Sequence, residues 1–309
     1  MFRSSAHADS IHDFHLYVKL YQPHYTSTLF HFTNNVSNLI AILTNNFYPR
    51  YSLENYSAFY TKDMAKRLKF TNIAIPMVCF CDIPLSSIRN HINVYGRYAI
   101  GLSKEWGGRK NISPVMYALK NSISAKVIRK SFNATEKCIH KSNKHLEELY
   151  SVDPEYKPDK KDKLIDALSD ELAGVENGLI DIMAFTKNYS GAFLRDGKKY
   201  RNVCFYDERE WRYVPDSGFL FENQIPSYID KATYLDGDRR KVANTRLERP
   251  ECMLEFNPSD IRYIIVANDN EIINMIDKVH QIKGSKYSDN DLLLLITRII
   301  SMEQILQDF

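Results

Sequence analysis

The stretch with most chemical potential is Asp207-Glu208-Arg209-Glu210-Trp211-Arg212, which packs carboxylates and guanidiniums into six residues. The segments beside it, Val203–Tyr206 and Trp211–Val214, are aromatic and β-branched and read as strands. Side chains of a strand repeat every two residues, so Glu208 and Glu210 are expected on one side. Two carboxylates held together repel unless they are solvated or paired. One reading is an edge strand of alternating charge, neutralised by Arg209 and Arg212. The other is a fixed anion placed to stabilise a cationic centre.

Such a centre forms when a glycosidic bond breaks. NAD contains a glycosidic bond whose leaving group is positively charged. Cleaving it calls for an anion near the ribose and a slot for nicotinamide, more than for an acid. Two further segments suit that task. His31-Phe32-Thr33 lies on a short strand-like run and can turn a ring nitrogen toward a ribose hydroxyl; it reads equally as a satisfied core histidine. Cys79-Phe80-Cys81-Asp82 is an aromatic strand, and Phe80 with Tyr95 and Tyr98 can stack a flat ring or simply fill the core. Cys79 and Cys81 share one strand face, and no second Cys or His pair stands at zinc-finger spacing, so no metal is expected. The chain has no Walker A motif, dinucleotide fingerprint, His-Glu-x-x-His or Gly-x-Ser-x-Gly.

The elements that must position these residues follow from periodicity. Residues 1–27 are polar and His-rich and read as an N-terminal arm; residues 28–309 read as one domain. Leu29–Phe32 predicts a strand. Thr33 or Asn34 then caps a helix whose apolar positions are Val36, Leu39, Ile40 and Leu43. Residues 48–71 read as a long loop with a short helix near Asp63–Leu68. Ile75–Cys81 and Tyr98–Leu102 predict strands, with a short helix over Ser86–Ile92. Residues 119–200 are charge-dense and read as a helical insertion, in which Leu164, Leu168, Leu172 and Val175 form a stripe that the core should cover. Met253–Phe256 and Arg262–Val266 predict strands. Asn268-x-x-Glu271 resembles a capping box opening a helix to Ile282, with Gly284 as its stop, and a last helix covers Asp291–Ile300. Short strands with segregated helices make the class α+β.

Composition bounds the function. The 309 residues are 44% hydrophobic and 26% charged, enough for a real core. Lys and Arg number 41 against 38 Asp and Glu, a formal +3, which is weak for a dedicated duplex-DNA binder. No run approaches the roughly 20 apolar residues of a membrane span, and no secretory leader is evident. Five Cys without framework spacing suggest reduced thiols in a cytoplasm.

The order of the three chemical segments resembles the ADP-ribosyltransferase superfamily: a first-strand His, an aromatic middle strand and a late Glu-x-Glu. Longer blocks resemble the AbiGi-type abortive-infection family of phage-defence and toxin–antitoxin loci. They are Phe30–Thr33, Met77–Leu85, Tyr95–Tyr98, Gly101–Trp106 and Phe205–Pro215. The resemblance implies a transferase-like split β-sheet core with a helical insertion. It implies a mono-ADP-ribosyltransferase toxin that uses NAD and needs no metal. The acceptor would be a macromolecule, RNA or protein, and an antitoxin would be the partner. In that reading His31, Phe32 and Thr33 hold the nicotinamide side, Phe80 or Tyr98 stacks the ring, and Cys79 and Arg212 line the site. Glu210 stabilises the cationic centre and Glu208 orients the acceptor. The alternative is a catalytically inactive relative serving as antitoxin or phage sensor.

Overall fold

A computed structural model describes residues 26–61, 71–152, 159–195, 198–284 and 287–308. The expected helix near Asp63–Leu68 and nearly all of the N-terminal arm lie outside these residues.

In chain order the first half runs β1 (Thr28–Thr33), α1 (Val36–Asn45), β2 (Arg50–Asn55), β3 (Asn72–Cys81), α2 (Arg89–Tyr95), β4 (Tyr98–Ser103), α3 (Lys104–Arg109), β5 (Ser113–Pro114) and β6 (Met116–Ala118). A long pair follows, α4 (Ile123–Val152) and α5 (Lys160–Ala184). Then come β7 (Thr186–Asn188), β8 (Ser190–Arg195), β9 (Lys198–Cys204), β10 (Glu210–Tyr213), α6 (Ser217–Glu222), β11 (Ile229–Asp230), α7 (Lys231–Leu235) and α8 (Gly237–Thr245). The chain closes with β12 (Ile261–Val266), α9 (Ile272–Lys283), α10 (Asp289–Ile296), β13 (Ile299–Ser301) and α11 (Met302–Asp308).

The main sheet has the order β13-β12-β4-β1-β3-β10-β5, and β2 and β11 also pair with β3. Its ladders are antiparallel except β12–β13, which is parallel. The class is therefore α+β with a mixed sheet. β3 is apolar almost throughout because both of its faces are covered.

Register divides the sheet into two unlike faces. One carries Leu29, Val78, Phe80, Ile100 and Ile264, covered by Leu39 and Leu43 of α1, Met275 and Val279 of α9, and Leu292 and Leu295 of α10. Leu39 and Leu43 are fully buried, which stabilises α1 by about 1.5–3 kcal/mol per side chain. The opposite face carries Phe30, Phe32, Cys81, Ala99 and Ile265 against Met302 and Ile305 of α11. Farther along β3, Ile73, Ile75 and Met77 meet Ala125, Ile128 and Phe132 of α4 and Met183 of α5.

Several local expectations change. The cap of α1 is Asn35, whose side chain accepts from the Asn38 amide; Thr33 instead accepts from the Asn38 side chain. Part of the expected loop at 48–71 is β2, recruited by β3. Met253–Phe256 forms no strand and gives only a bridge from Leu254 to Phe47. The last expected helix stops at Ile296, and β13 pairs with β12 instead. The helical part of the expected insertion ends at Ala184, and strands β7 to β9 follow. Its stripe is not covered by the core. The root of the α4–α5 hairpin packs, whereas Leu164, Leu168 and Val175 stay exposed.

Candidate functional site

Glu210 opens β10 opposite Cys81, and Arg212 stands opposite Cys79, so these four side chains share the second face of the sheet. Glu208 is not on that strand. It ends the 3-10 turn Phe205–Glu208, and Arg209 adopts a left-handed conformation (φ 42°) that swings the chain into β10. The two glutamates meet by way of a lysine rather than by strand period. Lys187 of β7 donates to Glu208 Oε2 at 2.8 Å and to Glu210 Oε2 at 2.7 Å.

Arg212 completes the network. Its Nε donates to Glu210 Oε1 at 2.7 Å, its Nη2 to Glu54 Oε1 of β2 at 2.9 Å, and its Nη1 to the Ala184 carbonyl at 2.6 Å. The Tyr95 hydroxyl donates to Glu208 Oε1 at 2.7 Å, and the Glu210 amide donates to the Tyr117 hydroxyl at 2.8 Å. Arg212 is 0% exposed and Glu210 6%. Two cations thus hold three carboxylates at the junction of β2, β10 and the root of the α4–α5 hairpin.

Electrostatics separates the carboxylates. Burial works against the charged form of Glu210, but the Arg212 and Lys187 cations outweigh it and hold the carboxyl far below its ordinary range. Glu54 goes the other way: burial raises it, and the Arg212 and Lys187 cations only partly compensate. Lys187 is desolvated, yet its glutamate neighbours keep it charged well above the usual range. Burial, reinforced by Glu210, pushes the Cys79 thiol up and favours its neutral form.

The remaining expected site residues lie elsewhere. His31 pairs with Ile100 and Thr33 with Tyr98, and Phe80 stands opposite Trp211. This row is on the first face, across the sheet from Glu210. His31 Nδ1 lies 2.8 Å from the Cys79 carbonyl; the carbonyl can only accept, so Nδ1 carries the hydrogen. Phe80 is walled by the rings of His31, Phe47 and Trp106 at 5.8, 5.4 and 5.6 Å. It is core, with no open face for a nicotinamide ring. The Tyr98 hydroxyl donates to Glu271 Oε1 at 3.0 Å.

The constellation His31, Thr33, Phe80 and Tyr98 with Glu210 therefore does not form one concavity, because alternate strand residues point to opposite faces. Phe32 does lie on the Glu210 face. The His91 ring meets it edge-on at 4.9 Å and stacks on Tyr95 at 4.3 Å, linking it to Glu208. The residues present do not fit NAD as the sequence pattern arranged it.

Lys187 and Glu54 went unmarked in the sequence. Neither sits at a telling distance from Glu210, and only folding of the hairpin and β2 brings them in. Among the described residues no group of three His, Cys, Asp or Glu side chains is placed to hold a metal ion. No described helix is long and apolar enough to cross a membrane.

Comparison with known proteins gives the context. Residues 45–267 match the AbiGi family model, described as an abortive phage resistance protein with an antitoxin role ascribed to it. A curated relative, the abortive phage resistance protein AbiGi of Lactococcus lactis subsp. cremoris, is 28% identical over 279 residues, covering 85% of this chain and 99% of that protein. No solved structure matches. Since the family match spans well over half of the chain, the protein belongs to the AbiGi family of abortive phage resistance proteins.

Proposed function

We propose that the protein is the antitoxin of an abortive-infection system and restrains its toxin by direct contact rather than by catalysis. The observation that carries this reading is the commitment of Glu210. Both of its oxygens are engaged by Arg212 and Lys187, inside a nearly closed network. An anion already neutralised by two cations has little left to stabilise a developing positive charge. The network instead clamps the α4–α5 hairpin to the sheet. The antitoxin role ascribed to the family points the same way.

The test is co-expression with the toxin of the same locus. Wild type and Glu210→Gln should both rescue growth wherever the variant remains folded at the assay temperature. An enzyme relying on Glu210 as a transition-state anion would lose on the order of 100-fold or more.

A second reading keeps NAD-dependent ADP-ribosyl transfer to RNA or protein. One arrangement favours it: Glu208 and Glu210 share Lys187 beside the Tyr95–His91–Phe32 aromatic row. Consumption of NAD by the purified protein, abolished by Glu208→Gln, would move the assignment there.

A further inference from the structure

The α4–α5 hairpin has two regimes. At its root Ala125, Ile128, Phe132, Met183 and Ala184 are buried against the sheet. On the side turned away from that contact, α5 shows solvent an apolar face: Leu164, Leu168, Val175 and Ile182 are 60%, 47%, 53% and 49% exposed. Leu168, Val175 and Ile182 recur every seven residues. Leu164, four residues before Leu168, extends this ridge, and Glu171 and Gly178 stand beside it at the intervening positions. Exposed apolar surface arranged in this way marks an interaction site more than chance.

Two glycines add to the case. Gly174 and Gly178 lie inside α5, where glycine weakens a helix relative to alanine. A Cβ at either position would meet nothing within 4 Å, so the protein's own packing does not require them. Beside the exposed knobs they leave hollows that let another backbone come close.

Charge selects the occupant. From Leu164 to Ala184, α5 holds Asp166, Asp170, Glu171, Glu176 and Asp181 and no Lys, Arg or His. A cavity of about 300 Å³ between the helices is lined by Ser142 of α4 and Ile165, Leu168, Glu171, Leu172 and Val175 of α5, so its charged wall is acidic. A second α5 would bring the same acidic stretch, Glu171 included, against the first. An anionic lipid surface or a phosphate backbone laid along this stretch would meet the same carboxylates, the lysines of α5 being confined to its first turn at Lys160, Lys161 and Lys163.

We infer that the exposed face of α5 docks one amphipathic helix of a partner protein, with an apolar seam flanked by Lys and Arg. This rests on the contact-based antitoxin reading and names the surface and the chemistry of the partner. The seam would receive Leu168, Val175 and Ile182, the flanking cations would meet Glu171 and Asp181, and the glycines would allow close packing.

The test uses the full chain and a fluorescent 21-residue helical peptide of three heptads, with Leu at the seam and Lys on both flanks. A peptide with Glu flanks is the control. The Lys peptide should bind at least about tenfold tighter than the Glu peptide, because the flanks then complement the acidic helix. Leu168→Glu with Val175→Glu should weaken binding at least about tenfold, as loss of apolar anchors does. Adhesion to acidic surface alone would instead tighten, since the substitutions add negative charge. Gly174→Ala with Gly178→Ala should weaken binding while raising Tm by roughly a few degrees through better helix propensity. Equal binding of both peptides, binding unmoved by the substitutions, or no binding would overturn the proposal. So would a dimer of the chain that Val175→Glu dissociates. The peptide assay needs no toxin, so its failure beside intact neutralisation is distinguishable from failure of the antitoxin reading.

Discussion

Replacing Arg212 by Met tests the buried network most directly. Methionine keeps the apolar stem and removes the guanidinium. Glu210 then keeps the Lys187 cation but loses its guanidinium, Glu54 loses the cation bonded to it, and the Ala184 carbonyl loses a donor. Breaking one partner out of a buried pair costs about 3–5 kcal/mol, because the charges left behind stay desolvated. At roughly 2.1 cal/mol/K of unfolding entropy per residue, a 309-residue chain shifts its Tm by roughly 1.5 °C per kcal/mol, so the loss should be about 5–8 °C. Scanning calorimetry at neutral pH measures it. High salt should not restore the loss, since buried pairs are weakly screened. Adding Glu210→Gln to Arg212→Met should recover part of it, with a coupling of at least about 1 kcal/mol, because the stranded anion is gone while Lys187 keeps Glu208. A Tm for Arg212→Met within about 2 °C of wild type, or two losses that simply add, would refute the reasoning.

Glu210 should also leave a mark on the acid limb of stability. Its folded value is held below the ordinary carboxyl value of 4.5, so its contribution is present above about 4.5 and is lost as pH falls through the depressed value. Glu54, raised by burial, slopes the other way: its contribution is present below 4.5 and fades as pH rises. Glu210→Gln should therefore flatten the fall of Tm below pH 4.5, and an unchanged acid limb would count against the pairing. Gly96→Ala should lower Tm strongly and release Tyr95 from Glu208, seen as a shift in tyrosine absorbance. Gly96 has φ 101°, and a Cβ there would lie 2.3 Å from the Thr33 carbonyl oxygen. Phe80→Ala should destabilise by about 3–5 kcal/mol, as a buried ring deletion does, and leave NAD affinity, if the purified protein shows any by calorimetry, unchanged. A specific loss of NAD binding with a normal Tm would restore Phe80 to a ligand site.

Elements with a clear local periodicity are readable from the amino-acid order alone. The strand around Phe30, α1 with Leu39 and Leu43, the apolar β3 and the helical hairpin were legible because burial of one face fixes spacing. The motif blocks from Phe30 to Pro215 determined the family. What the sequence could not carry was which strand face each residue takes once neighbours are chosen. The pairings Phe30–Cys81–Glu210 and His31–Ile100 are set by nonlocal register, and a side chain one position away points to the other side of the sheet. That is why His31 and Phe80 parted from Glu210. β2 and β13 were hidden for a related reason: short edge segments become strands only when β3 and β12 offer them unpaired backbone groups. Lys187 and Glu54 carried no signal at all, since an ion pair across distant segments has no sequence period. It takes the folded chain to set Lys187 and Arg212 together against the acidic motif and to leave the apolar stripe of α5 facing water.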